Sequence, residues 1–318
     1  MPANAPLSSD LGFALGPRIN AGGRVGKADL GVRLLCGAHD ADCAEIAAEL
    51  DRLNQERRAI ETEVTEAARA AAERAGNMPV AVVSGAGWHP GVIGIAASRL
   101  KETLGVPAVV IGVEDGRGKG SGRSITGVDL GAAVLAAKDA GLLVAGGGHA
   151  MAAGLTVEED KLADLAAFLC ERLESHVTRA QQDRALDFDA AVAPGGLTTD
   201  LAEQLDHAGP YGAGWPGPRV AAGPLGVIEA SVVGNGHVRT VLAGADGKRI
   251  KGIAFRSEDT PLGAALLGAQ GRRLFLAGRV KRDDWLQVPR VELHIEDAAW
   301  ADGSATKGAD PKPAAAAA

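Results

Sequence analysis

From Asp40 to about Arg74 the chain keeps one helical rhythm. Ile46, Leu50, Leu53, Ile60, Val64, Ala67 and Ala71 recur at spacings of three, four and seven, the pattern of a single amphipathic helix. At ~1.5 Å per residue it would run on the order of 50 Å, longer than one small domain needs, so the chain is expected to consist of bodies joined by a strut. Asp42 with Glu45 three residues on reads as a capping box at its start, and Gly76-Asn77 followed by Pro79 as its end.

A chain of 318 residues that is 46% hydrophobic and 23% charged can bury real cores and is neither disordered nor fibrous. Its longest apolar stretches, such as Leu104 to Val113 and Leu130 to Ala137, fall short of the ~20 residues that a membrane-spanning helix needs. The first residues show no basic stretch followed by an apolar run, so no secretory signal is visible and a cytoplasmic location without a membrane partner is expected. The three cysteines, Cys36, Cys43 and Cys170, contain no CxxC pair, which argues against a disulfide framework and against a cysteine zinc site.

Residues 1–39 are rich in Gly and Arg and read as loop plus a short helix. After the strut, short β-branched runs alternate with helical patterns. Strands are expected at Pro79 to Ser84, Pro107 to Gly112 and Gly118 to Ser124, and helices at Gly91 to Glu102, Leu130 to Ala137 and Glu158 to about Ser175. This describes an α/β domain of about a hundred residues. A charged linker, Arg179 to Arg184, leads to a strand over Leu186 to Ala193 and a helix over Thr199 to His207. From Arg219 to Trp300 strand-like alternation recurs at Val220 to Val233, His237 to Ala243, Arg249 to Phe255, Leu274 to Val280 and Leu286 to Ile295. With a helix at Pro261 to Leu267 between the third and fourth, this is the layout of a small closed barrel of the oligonucleotide-binding (OB) type. The tail 301–318 is expected to be disordered.

The formal charge of −7 argues against a wholly electrostatic nucleic-acid binder, yet from Arg219 to Arg290 there are 12 Lys and Arg against 6 Asp and Glu. Either a basic face for a polyanion or a solvated strand surface accounts for that local excess. With only ten aromatic residues in all, any stacking platform must be small.

Four segments could carry chemistry. In Gly118-Lys119-Gly120-Ser121-Gly122-Arg123-Ser124, closely spaced glycines would let backbone N–H groups converge on an anion while Lys119, Arg123 and two hydroxyls supply donors suited to phosphate. The alternative is a glycine-rich edge strand or bulge; it is neither a Walker A loop nor a GxGxxG turn. Gly146-Gly147-Gly148-His149 offers either close backbone approach to a ligand beside an imidazole that could act as acid or base, or a flexible turn with a satisfied histidine. Arg18, Asn20 and Arg24 stand around Gly22-Gly23 on what reads as a tight loop, with forked donors of the kind phosphates prefer. Trp88-His89-Pro90-Gly91 places an imidazole beside a helix N-terminus, where anions are favoured, or is a core Trp with an incidental His. Metal-ligand spacing is absent: His39-Asp40-Ala41-Asp42 fits helix capping better than metal binding.

These segments in this order resemble the RecJ single-stranded-DNA-specific 5′ to 3′ exonucleases of the DHH phosphoesterase superfamily. The resemblance is carried by LGPRINAGGR (Leu15 to Arg24), LDRLNQERRAIE (Leu50 to Glu61), GWHPGVIGIAASRL (Gly87 to Leu100), GKGSGRSI (Gly118 to Ile125) and GGGHAMAAG (Gly146 to Gly154). AGPYGAGWPGP (Ala208 to Pro218) resembles the family's passage into its barrel, with Trp215 where an Asn is more usual.

The resemblance implies the C-terminal portion of such an enzyme: residues 1–39 from the end of a DHH domain, a connecting helix over 40–76, a DHH-associated (DHHA1) domain over 77–178, and an OB barrel over 184–300. The DHH triplet, whose domain holds two Mn2+ or Mg2+ ions in this family, is not in these residues. By resemblance Arg18, Ser121, Arg123, Ser124 and His149 face the cleft and bind the phosphates of the DNA end, with His149 the catalytic candidate. Asn20, Arg24, His89, Lys119, Gly147 and Gly148 complete the expected phosphate site, and Phe255 and Trp285 the barrel's hold on single-stranded DNA. Two-metal hydrolysis is implied for the complete enzyme, with a single-strand-binding protein or a helicase as possible partners. The other reading is a free-standing, non-catalytic module that binds single-stranded DNA ends.

Overall fold

The structure, a computed structural model, describes residues 10–37, 39–183, 185–212, 214–283 and 289–303. The chain divides into two compact units, residues 1–184 and residues 185–318.

In the first unit a π-helical turn (Leu11–Leu15) runs into α1 (Gly16–Val25), followed by α2 (Leu30–Leu35) and the long helix α3 (Asp40–Ala75). The loop expected around Arg18 to Arg24 is therefore helical. Its glycines are contact points rather than breakers: a Cβ on Gly22 would stand 2.9 Å from the Lys27 carbonyl oxygen and 3.2 Å from Leu50 Cδ2, and one on Gly31 2.8 Å from Ile19 Cγ2. A helical glycine costs ~1 kcal/mol. Packing of Ala21, Leu30, Ile46, Leu50 and Leu53 into one cluster offsets it, at about 1.5–3 kcal/mol for each buried leucine.

The long helix forms as expected, but not its capping box. His39 occupies the N-cap without a side-chain bond, and Asp40 and Asp42 instead lie in the first turn, where carboxylates favour the helix dipole. Gly76, at φ +80°, ends it. The first half of α3 belongs to the small cluster just described, while Val64, Ala68 and Ala72 enter the core of a β-sheet.

That sheet is built from β1 (Ala81–Ala86), β2 (Ala108–Glu114), β3 (Arg117–Arg123), β4 (Ala145–His149) and β5 (Ala152–Glu158), with α4 (Pro90–Leu104) crossing between β1 and β2, α5 (Leu130–Asp139) between β3 and β4, and α6 (Leu162–Gln182) after β5. The order is β1-β2-β3-β5-β4, with β1 and β2 parallel and the other pairs antiparallel. Ala108 to Ile111 are all fully buried, as befits a strand covered on both faces. Two readings change here. Gly146 to His149 form a strand rather than a turn, in a hairpin with β5, and the last helix starts at Leu162 instead of Glu158.

The second unit opens with β6 (Ala190–Val192), shorter than the expected Leu186 to Ala193, and α7 (Thr199–His207). Then come β7 (Val220–Val233), β8 (His237–Ala243), β9 (Arg249–Ala254), α8 (Pro261–Leu267), β10 (Arg273–Asp283) and β11 (Arg290–Trp300). The order β10-β11-β9-β8-β7 is closed by an additional β10–β7 pairing. Five strands closed into a barrel, with a helix between the third and fourth, are the expected OB layout. Leu225, Leu242, Ile250, Leu274, Leu276 and Leu293 fill it.

The local basic excess is largely paired. Over 185–303 there are 12 Lys and Arg against 15 Asp and Glu, and most of the carboxylates that pair with the cations of the Arg219 to Arg290 window stand just outside it. Arg219 and Arg279 share Glu296, Lys251 meets Asp283 and Glu292, Lys281 meets Asp206, and Arg282 meets Glu203. No helix among the described residues is long and apolar enough to cross a membrane. The tail from residue 304 onward lies outside the described residues.

Candidate functional site

The glycine-rich segment is an inner strand, paired with β2 on one side and β5 on the other, so its backbone N–H groups serve the sheet and do not form an anion loop. The period of two sorts its side chains. Gly118, Gly120 and Gly122 face the core, where an added Cβ would stand 2.7 Å from Ile111 Cγ2, 2.7 Å from Leu155 Cδ1 and 2.6 Å from Leu130 Cδ2 respectively. Arg117, Lys119, Ser121 and Arg123 therefore share the opposite face.

Directly opposed residues in a ladder share a face, so the register extends that face across β5 and β4 in three rows. Arg123 lies opposite Ala152 and, beyond it, His149; Ser121 opposite Gly154 and Gly147; Lys119 opposite Thr156 and Ala145. A Cβ on Gly147 or Gly154 would meet nothing within 4 Å. The middle of this face is an open floor of small residues, with the polar wall of Lys119, Ser121 and Arg123 on one side and His149 on the other, about 10 Å away at two strand spacings.

Helix α4 closes one end. His89 caps its N-terminus, its Nδ1 accepting the Gly91 N–H at 3.0 Å. Gly94 rests on the polar wall, where a Cβ would be 3.0 Å from Arg123 Nη2 and 3.1 Å from Ser121 Oγ. Arg24, from α1, donates through Nη1 to the Gly91 carbonyl at 3.0 Å. Arg123 donates to Ser121 Oγ at 3.0 Å and to the Gly122 carbonyl at 2.8 Å, and neither arginine has an ion pair among the described residues. Burial, and then the charge of Arg24 nearby, push the Arg123 guanidinium below its ordinary value. A guanidinium stays protonated, so two cations on one helix end without an ion pair among the described residues are suited to an anion.

The hairpin that carries His149 is pinned from behind. Ser124 N–H donates to the Met151 carbonyl at 3.0 Å and Leu130 N–H to the Ala150 carbonyl at 3.1 Å. A Cβ on Gly131 would lie 2.9 Å from the His149 carbonyl oxygen, and one on Gly148 2.3 Å from the Ala152 carbonyl oxygen. The imidazole itself is exposed.

Of the expected phosphate ligands, the structure thus brings together Arg24, Lys119, Ser121, Arg123, His149 and Gly147, with Gly148 facing the other way. Three candidates are otherwise engaged. Arg18 pairs with Asp51 at 2.7 Å and donates to the Ala14 carbonyl at 2.8 Å. Ser124 is 1% exposed, its hydroxyl donating to the Val128 carbonyl at 2.7 Å. His89 is a helix cap, and Trp88 packs against the core. Asn20 is exposed on α1, one turn before Arg24 and so on the same side of the helix. Sequence reasoning passed over Gly91, Gly94 and Gly154; glycines inside a helix at Gly91 and Gly94 were the available sign of a close approach. In the barrel, Phe255 is exposed, and Trp285 lies outside the described residues.

Comparison with known proteins identifies the two domains. Residues 77–175 match the DHHA1 domain family and residues 188–297 the RecJ OB domain family. The chain is 30% identical over 294 residues to the single-stranded-DNA-specific exonuclease RecJ of Bacillus subtilis, covering 91% of this chain and 36% of that protein. It is 36% identical over 258 residues to RecJ of Dickeya dadantii, covering 78% of this chain and 45% of that protein. The crystal structure of RecJ in complex with Mn2+ from Thermus thermophilus matches with a TM-score of 0.73 at 26% identity, over 93% of this chain and 42% of that one. A Mg2+ complex of the same protein matches with a TM-score of 0.72. The chain thus spans less than half the length of these relatives. Among the described residues no group of three or more His, Cys, Asp or Glu comes together that could hold a metal ion. The floor and walls offer guanidinium, ammonium, hydroxyl and imidazole groups, a set that fits an anion and not a divalent cation.

Proposed function

The chain joins a DHHA1 domain to a RecJ OB domain and corresponds to the C-terminal portion of RecJ, and from that premise we propose that it is the substrate-gripping part of a 5′ to 3′ single-stranded-DNA exonuclease acting in the cytoplasm in DNA repair and recombination. One observation carries the reading: Arg24, bound to the Gly91 carbonyl, and Arg123, against Gly94 one turn further along the same helix, flank an open glycine floor with no ion pair among the described residues.

On this reading the backbone of the DNA end lies along the floor, where Gly147 and Gly154 let it approach the sheet. Arg24 and Arg123 neutralise a phosphate from one wall, and Lys119 adds charge beside them. Ser121 Oγ accepts from Arg123, which leaves its own O–H to donate to a phosphate oxygen. His149 donates a ring N–H from the far wall. The same donors stabilise charge that grows on the phosphate during hydrolysis. Asn20, one turn from Arg24, reaches the same strand. The barrel supplies a second hold on the DNA. The Mn2+ or Mg2+ ions seen with RecJ would be held by residues outside this chain, so the chain alone binds without cleaving. A single-strand-binding protein or a helicase would deliver the strand.

The test is a nuclease assay on a 5′-phosphorylated single strand with Mn2+, beside a binding titration of the same chain. Binding that weakens with salt, without cleavage, is the expected result. Metal-dependent cleavage that disappears in His149→Ala would overturn this division of labour.

A further inference from the structure

We propose that the cavity between α5 and α6 is a binding site for the base of a guanine nucleotide. The cavity, of about 310 Å³, is lined by Asp129, Ala132, Ala133, Arg172, Leu173 and His176, which puts it within the size range of small-molecule sites. It lies on the other side of the sheet from the phosphate floor. Leu130 of α5 stands 2.6 Å from where a Cβ on Gly122 would be, and Gly122 faces away from Ser121 and Arg123. Leu130 and Gly131 also back the hairpin that carries His149, so an occupant of the cavity would sit directly behind that element.

The two helices give the cavity two kinds of wall. Leu173 and Ala133 belong to the core of the domain, and with Ala132 they make an apolar side. Arg172 and His176 stand one turn apart on α6 and so share a face. Both are exposed, and neither side chain has a hydrogen bond or an ion pair among the described residues. Asp129 is the N-cap of α5, its Oδ1 accepting the Ala132 N–H at 2.9 Å, which leaves Oδ2 to accept from a ligand. A carboxylate and a guanidinium thus face one cavity without meeting, and the space between them suits a molecule that complements both.

The donors and acceptors select the occupant. Arg172 offers a fork of donors and no acceptor, whereas the Asp129 carboxylate only accepts. Guanine presents the complement on neighbouring edges of one flat ring: O6 and N7 accept from a guanidinium, N1–H and N2–H donate to a carboxylate, and the ring face lies against the apolar side. Adenine would set its N6 donors against Arg172. A bare phosphate would meet the like charge of Asp129. His176 is left to donate to the ribose or to the 5′-phosphate.

The experiment titrates the full chain with GMP, AMP and inorganic phosphate by isothermal calorimetry. GMP is expected to bind about tenfold more tightly than AMP, and phosphate more weakly than either. Arg172→Ala should lower GMP affinity about tenfold, the loss of one charge-assisted contact. Asp129→Asn keeps an oxygen for the Ala132 N–H but turns an acceptor into a donor. It should weaken GMP and bind xanthosine monophosphate, whose 2-carbonyl replaces the 2-amino group, more tightly than the wild type does. Such a gain is one that a purely structural role of Asp129 would not produce, and thermal melting checks that both variants are folded. Equal affinity for GMP and AMP, phosphate binding as tight as GMP, or GMP binding unchanged in Arg172→Ala would overturn the site. So would the absence of GMP binding at millimolar concentration.

Discussion

Arg24 and Gly91 grip each other from two sides. The Arg24 guanidinium donates to the Gly91 carbonyl at 3.0 Å, and the Arg24 carbonyl oxygen lies only 2.2 Å from where a Cβ on Gly91 would be. This crossing of α1 over the N-terminus of α4 brings Arg24 to the helix end on which Gly94 meets Arg123. Gly91→Ala forces a backbone carbonyl away, since no side-chain rotation can relieve that contact. Single-stranded DNA affinity is expected to fall about tenfold, the loss of one charge-assisted contact. Unchanged affinity in a folded Gly91→Ala variant would separate Arg24 from the site.

Gly94 makes a finer test. Its added methyl meets the far end of Arg123 at 3.0 Å and Ser121 Oγ at 3.1 Å, both able to yield by a few tenths of an ångström. Alanine is the better helix former by up to ~1 kcal/mol, so Gly94→Ala should melt at the wild-type temperature or above it while binding DNA several-fold more weakly. Scanning calorimetry beside a binding titration checks both. Loss of stability together with full binding would contradict the placement.

Ser124 separates structure from ligand contact. Its buried hydroxyl serves the Val128 carbonyl, so Ser124→Ala should cost ~1 kcal/mol of stability without changing DNA affinity at a temperature where the variant is folded. Ser121→Ala should do the reverse. Urea unfolding and titrations of the two variants read this directly.

The barrel's acid stability has an identifiable source. A hydrogen bond with His294, then one with Lys251, holds the Glu292 carboxyl below the usual carboxylate range. A carboxyl lowered in the folded state stabilises the fold above its ordinary value, about 4.3, and that contribution is lost as pH falls through the lowered one. Lys251, raised by hydrogen bonds with Asp283 and then Glu292, contributes below the ordinary lysine value and loses its contribution only as pH rises through the raised one. Melting of the barrel transition is therefore expected to drop on acidification below about pH 4, and less so in Glu292→Gln. An identical acid limb in that variant would remove Glu292 as the source.

Where apolar side chains set the pattern, the fold was legible. The rhythm from Ile46 to Ala71 marked the long helix, and the alternation in Val220 to Val233 and His237 to Ala243 marked barrel strands with the observed bounds. It failed where glycine carries the structure. Gly16, Gly22 and Gly23 read as loop because helix propensity sees only their cost, whereas the close approach of Gly22 to Leu50 and the Lys27 carbonyl makes such a glycine useful. Gly146 to Gly148 form an edge strand with no β-branched residue to announce it. The polar wall was legible as a set of donors, but not the alternation that turns Lys119, Ser121 and Arg123 one way and buries Ser124. The basic surplus from Arg219 to Arg290 could not be resolved in the sequence because carboxylate partners such as Glu203, Asp206, Glu292 and Glu296 stand outside that window.

The most direct test of the central claim, that Arg24 and Arg123 together receive a phosphate of single-stranded DNA, is the salt dependence of binding in the wild type and in the Arg24→Ala/Arg123→Ala double variant. The logarithm of affinity should fall linearly with the logarithm of salt concentration, with a slope shallower by roughly 0.7 in the double variant, one phosphate contact fewer. An unchanged slope in the double variant would place the phosphate elsewhere and contradict the account.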